Sequence, residues 1–315
     1  FAIFHETSGR LERAVVRHCA YPSDVSWQVL RAAFVEAVES FGVVSALRFG
    51  PAVETLEIDR IGTSVANASF VVEQVDALIA GSPGTAEPRT LQELASTTFA
   101  FQGLPALERV LAIGRDRPPV SLSSRRCRLA RLIATNVAAM AKDIHADWAA
   151  RSGYRHLFTT PGEGNARYLT RTAIGRDVLE VGISAVGALQ TELSPFARSG
   201  DPALAFVETR TFAATPHQIA YLSGKAEGIR TFLAPDAFGR VIAAPDEPAL
   251  RRLAVHLSAA AGILRELGGV AEIDPVSRTR LAEAAGHVAV SQVIVAQDLA
   301  RSVGAAVPAF RELLR

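Results

Sequence analysis

The chain has 315 residues, 49% of them hydrophobic and 7% aromatic, and a formal net charge of +1. That length suits two domains or one large one, and the near-zero charge removes the electrostatic footprint expected of a nucleic-acid binder. No window approaches the roughly 18 uninterrupted apolar residues of a transmembrane helix; the longest candidates, Val178–Leu189 and Leu253–Leu264, contain Glu180 and His256 and read as buried helices.

Helical periodicity dominates from the start of the chain. Trp27, Leu30, Phe34, Val38 and Phe41 recur at three- and four-residue steps and predict a helix from about Pro22 to Leu47, closed by Arg48-Phe-Gly-Pro51 with Gly and Pro as breakers. Arg48 there suits the negative end of the helix dipole. Thr90-x-x-Glu93 reads as a capping box, opening a helix that would carry Gln102-Gly-Leu-Pro-Ala-Leu-Glu-Arg109. Pro105 and Glu108 are three apart, so they share one helix face. An interior proline costs a helix about 3 kcal/mol and strips a donor from the carbonyl of Phe101, so the pattern predicts a kink or break there, with a polar pocket at Glu108. A plain ion pair to an arginine such as Arg115 is the competing account of that glutamate.

Leu129, Leu132, Ile133, Val137, Met140, Ile144 and Trp148 make a second long stripe, ended by Gly153. Pro-, Gly- and Ser-rich loops are expected at Gly81–Pro88, Arg115–Ser124, Gly153–Asn165 and Arg198–Pro202. The third is the best boundary, dividing the chain into bundles over residues 1–153 and 154–315. Beyond it, Thr215-Pro216 and Asp274-Pro275 place N-cap residues before proline, and Asp246-Glu-Pro opens a helix whose leucines stop at Gly268-Gly269. With no hairpin signal or alternating strand run, the fold class is all-α: two packed, four-helix-bundle-like domains.

The seven histidines are scattered, and none pairs with another at i+3 or i+4. His217, opening a second-half helix, is a weak metal-ligand candidate beside Glu108; His256 and His287 read as packing or exposed residues. Cys19 and Cys127 are spaced wrongly for a zinc ribbon or a Cys-x-x-Cys redox site; a disulfide and two separate buried thiols both fit. There is no Gly-x-Ser-x-Gly elbow, His-Glu-x-x-His pair or Walker lysine. Phe1 in place of Met fits a removed leader or a trimmed chain equally.

Together these motifs resemble the imelysin family of helical bacterial envelope proteins, filed among metallopeptidases and linked to iron uptake. The likeness rests on Leu47-Arg-Phe-Gly-Pro51, Val75-Asp-Ala-Leu-Ile79, Gln102 to Glu108, Arg126-Cys127 leading to Asp147-Trp148, and more weakly Glu208-Thr-Arg-Thr211. The family's Gly-x-His-x-x-Glu signature falls on Gly103, Pro105 and Glu108, so Pro105 stands where the metal-ligating histidine belongs. The resemblance implies two bundles with a cleft between them holding Gly103, Pro105, Glu108, Arg48, Arg210 and Thr211. It further implies a periplasmic or outer-membrane-associated protein, with room for a lipid anchor ahead of residue 1. The resulting expectation is a non-catalytic binding protein of iron acquisition, taking a small ligand, a metal such as iron or zinc, or an envelope partner. The alternatives are a metal-dependent peptidase with replacement ligands at Glu108 and His217, and a purely structural interaction module.

Overall fold

A computed structural model of the chain describes residues 1–62, 68–82, 84, 86–113, 122–149, 153–197, 210–238 and 246–302. Every regular element among them is helical, and none is long and apolar enough to cross a membrane. The loops expected at Arg115–Ser124 and Arg198–Pro202, together with Arg115, Glu208 and Thr209, lie wholly or mostly outside the described residues.

Helix α1 (Ala2–Ala20) is followed by α2 (Asp24–Ser45), which is shorter at both ends than the apolar stripe suggested. Its true start is Ser23, whose side chain caps Ser26 while Ser26 caps back. The stripe itself is as read: Trp27, Leu30, Phe34, Val38 and Phe41 are all buried. Short helices α3 (Pro51–Glu54), α4 (Glu57–Gly62), α5 (Ala68–Ala80) and α6 (Leu91–Ala95) follow. Gly50, at φ +73°, makes the bend into α3 and lies where an added Cβ would meet the rings of Tyr154 and Trp148 at 3.0 and 3.1 Å, so both its backbone and its neighbours exclude a side chain.

The Thr90 cap is real, with Thr90 Oγ1 accepting from Glu93 N at 3.1 Å, but its helix ends at Ala95 and does not carry Glu108. A 3₁₀ turn at Phe99–Phe101 intervenes, and a separate helix α7 (Leu104–Leu111) begins after Gly103. The predicted break is present, without the predicted penalty: Pro105 occupies the first turn of α7, where its fixed φ suits the helix and its missing N–H has no intrahelical acceptor to lose.

Helix α8 (Ser124–Ala149) runs through the second stripe, and Cys127 near its start is disulfide-bonded to Cys19 at the end of α1, with Cα atoms 5.6 Å apart. The Gly153–Asn165 segment is more ordered than a glycine-rich loop suggests. It contains α9 (Tyr154–Thr159), which packs on α8. The Tyr154 and Tyr168 hydroxyls are 2.8 Å apart, and Tyr168 donates onward to Asp177 at 2.8 Å.

In the second half, α10 (Arg171–Ala197), α11 (Thr215–Phe232), α13 (Glu247–Glu266) and α14 (Pro275–Val293) close a ring in the order α10, α14, α13, α11, with α12 (Pro235–Phe238) a single turn between α11 and α13. Asp246 and Asp274 cap α13 and α14 as their sequences predict, accepting from Ala249 N and Ser277 N.

The two groups of helices meet most extensively where α11 lies on α2. Glycines make that approach feasible. A Cβ on Gly42 would fall 2.3 Å from Tyr221 O, one on Gly224 1.9 Å from Glu39 O, and one on Gly228 2.5 Å from Val43 O. The backbones therefore touch directly, as small-residue helix crossings allow. Beside this seam the buried Lys225 ammonium reaches Glu192 at 2.5 Å, and Ser45 Oγ donates to Tyr221 Oη at 3.2 Å. A charge that deep is tolerated because it is paired.

Candidate functional site

The glycine, proline and glutamate of the motif have distinct physical tasks. Gly103 starts α7 against the backbone of α4: an added Cβ would be 2.1 Å from Ile61 O and 2.4 Å from Arg60 O. Pro105 sets the first turn, and Leu104, Leu107, Val110 and Leu111 bury the helix into the core. This fixes Glu108 on the face that meets the second half, where only 3% of the residue remains exposed.

There the carboxylate is fully engaged. Oε2 accepts from Ala213 N at 2.8 Å; Oε1 accepts from Ala214 N at 3.2 Å and lies 2.5 Å from His217 Nδ1. Thr215 was expected to cap this helix through its own side chain. Instead the N-cap residue is Ala214, which has no capping side chain, and the cap comes from Glu108 on α7. A carboxylate at a helix N-terminus meets unpaired N–H groups and the positive end of the helix dipole. His217 is equally buried, with the Phe34 ring edge-on at 4.9 Å.

The remaining predicted cleft residues divide. Thr211 is close by: its backbone N–H and that of Phe212 both donate to Gln218 Oε1, at 3.0 and 2.9 Å. Arg210 Nη1 donates to Ala213 O at 3.0 Å, and burial pushes its guanidinium down to about 10 against the opposing pull of Glu108. Arg48 is not brought to Glu108; it pairs with the buried Asp59 at 2.7 Å, so its partner is a carboxylate of its own half. Three contributors were missed. Gln102, fully buried, donates to Ala95 O and Thr97 O and braces the turn before α7. Asn136 on α8 holds Gln102 O at 3.0 Å. Gln218 orders the turn that presents the N–H groups to Glu108. Amides within a motif or on an apolar helix face were the available signal.

Chemically, the arrangement is a satisfied junction. A metal at Glu108 and His217 would have to displace the backbone N–H groups that both carboxylate oxygens already hold, at two residues only 3% and 4% exposed. Among the described residues no group of three or more His, Cys, Asp or Glu side chains is placed to hold an ion. The residues present therefore do not fit a resident metal at this position.

These features define an all-α protein whose motif helix is locked to the opposite half through a single glutamate. The imelysin family model matches residues 1–299, and the chain belongs to that family. The solved structure of an imelysin-like protein from Psychrobacter arcticum 273-4 superposes with a TM-score of 0.70, covering 96% of this chain and 90% of that one. At 17% identity that likeness is one of fold alone. A comparison with curated proteins finds no match.

Proposed function

We propose that this chain is a non-catalytic imelysin-family protein of the bacterial envelope that takes part in iron acquisition by binding a ligand or partner between its halves, residues 1–153 and 154–315. The observation that carries the non-catalytic part is the state of Glu108. A peptidase needs a carboxylate free to take a proton from water, or a metal to activate that water. Glu108 is buried and gives both oxygens to the start of α11 and to His217. The Cys19–Cys127 disulfide supports an oxidising compartment such as the periplasm. Iron acquisition is supported by kinship and by no feature of the site.

The test has two arms. Purified protein is assayed for hydrolysis of denatured protein substrates with Zn²⁺ or Fe²⁺ added, beside Glu108→Gln. No turnover is expected; hydrolysis that Glu108→Gln abolishes would overturn the non-catalytic reading. In the native bacterium, deletion should impair growth under iron chelation and added iron should restore it. Unimpaired growth would remove the iron assignment.

The metallopeptidase reading retains one specific observation. His217 supplies next to Glu108 the imidazole that Pro105 cannot. That reading requires metal binding that is lost equally in Glu108→Gln and His217→Ala, along with metal-dependent hydrolysis.

A further inference from the structure

His256 on α13 and His287 on α14 were read as isolated residues, yet their Nδ1 atoms lie 3.0 Å apart with ring centroids at 5.3 Å. We propose that these two imidazoles form a binding site for a divalent transition-metal ion, copper(II) foremost, on the second half and separate from the Glu108 junction.

The spacing is the first argument. With metal–nitrogen bonds of about 2.0–2.1 Å, two ligands subtending about 90–110° at one ion are about 2.8–3.4 Å apart. The observed nitrogen pair falls inside that interval before any ion is added. In the metal-free chain the contact is a single N–H···N hydrogen bond in which one Nδ1 donates and the other accepts. Transfer of that proton to Nε2 of the same ring, a tautomer shift that keeps the imidazole neutral, leaves two Nδ1 lone pairs converging on the same space.

Preorganisation is the second. One turn either side of His256 lie Leu253 and Ala260, and one turn either side of His287 lie Ala284 and Ser291; all four are fully buried. The helix faces carrying the imidazoles are therefore clamped in register by α13–α14 packing, which reduces the ordering cost of chelation.

Access is the third, and it separates this pair from Glu108 and His217. Both rings are only part-buried, so water or a carboxylate- or amine-bearing small molecule can complete the coordination sphere, whereas the Glu108 and His217 side chains are buried. All-imidazole protein ligation suits Cu²⁺, Ni²⁺ and Zn²⁺, and the general affinity order of divalent ions puts Cu²⁺ first.

The full chain is titrated calorimetrically with Cu²⁺ and Ni²⁺, and the Cu²⁺ form at substoichiometric loading is studied by electron paramagnetic resonance. One tight equivalent and hyperfine coupling to two imidazole nitrogens are expected. His256→Ala and His287→Ala should each weaken binding roughly 100-fold, the effective-concentration advantage of a second positioned ligand, while His156→Ala, at an exposed histidine of α9, leaves it unchanged. Circular dichroism establishes that each variant is folded, and the wild-type spectrum decides the question even if one is not. Absence of a stoichiometric site, a spectrum without two nitrogens, or binding that survives in both variants overturns the proposal. None of these outcomes bears on whether Glu108 is catalytic.

Discussion

Glu108 and His217, 109 positions apart, share a 2.5 Å hydrogen bond that ties the motif helix of the first half to the leading turn of α11 in the second. Because the same carboxylate also accepts from Ala213 and Ala214 N–H, one side chain both caps a helix and joins the two halves. The motif glutamate thus has a structural role that stands without any metal, and the proline at position 105 is compatible with it because α7 starts there.

Truncation of Glu108 should accordingly be felt as stability. Glu108→Ala leaves the part-buried Ala213 and Ala214 N–H groups and the buried His217 Nδ1 without this acceptor, a loss of about 1–3 kcal/mol at the usual cost of an unsatisfied buried donor. Glu108→Gln keeps one acceptor oxygen and should lose less. Urea unfolding of the two variants and the wild type measures this. A Glu108→Ala midpoint equal to that of the wild type would show that the cap contributes nothing.

The α2–α11 seam makes a sharper contrast between two glycines. Gly224→Ala places a Cβ 1.9 Å from the Glu39 carbonyl; backbone on both sides must move, and overpacking of this kind costs typically 1–3 kcal/mol. Gly262, inside α13, has no atom within 4 Å of its added Cβ. There alanine gains helix propensity, so Gly262→Ala should stabilise by about 0.5–1 kcal/mol. Thermal unfolding should shift in opposite directions for the two variants.

What could be read from sequence was what is decided locally. Asp246 and Asp274 were assigned as caps because the acceptor and its N–H lie three residues apart, and the α2 stripe because its period is contained in one helix. Thr215 shows where that reasoning fails: a Thr-Pro pair looks like a cap, but the oxygen that does the work belongs to Glu108. The Glu108–His217 and His256–His287 contacts depend on which helices become neighbours, which periodicity does not encode. Arg48 was misplaced for the same reason, its partner Asp59 lying beyond the bend at Gly50. The family likeness pointed to the Gly103–Glu108 segment, while the satisfied state of its glutamate required coordinates.

The disulfide should carry much of the stability of the first half. It joins residues 108 apart in sequence, and closing a loop of that order in the unfolded chain is worth about 4–5 kcal/mol on the chain-entropy account. Cys19→Ser with Cys127→Ser should therefore unfold at markedly lower denaturant concentration, and reducing agent should have the same effect on the wild type and none on the double variant. Identical unfolding of wild type with and without reductant would show that the bond is absent in solution.

Glu57 gives a pH dependence with a definite sign. Its Oε2 is buried without a hydrogen-bond partner. Burial first, and then the charges of Asp143 and Asp147, raise its pKa above the ordinary carboxylate value of 4.5, with Thr55 and Arg60 opposing. A raised folded-state pKa means that the folded chain holds this proton more tightly than the unfolded chain. Below the unfolded value both states are protonated, and Glu57 is neutral with respect to stability. As pH rises from 4.5 through the elevated folded value, the unfolded chain ionises more readily and the fold loses stability relative to a neutral side chain. Glu57→Gln should therefore be more stable than wild type at pH 7, and the advantage should shrink toward zero as pH falls below about 4.5. Paired urea titrations at pH 4, 5, 6 and 7 measure the difference directly. A difference that stays constant across that range, or that favours the wild type at pH 7, would show that Glu57 is not a penalised carboxylate.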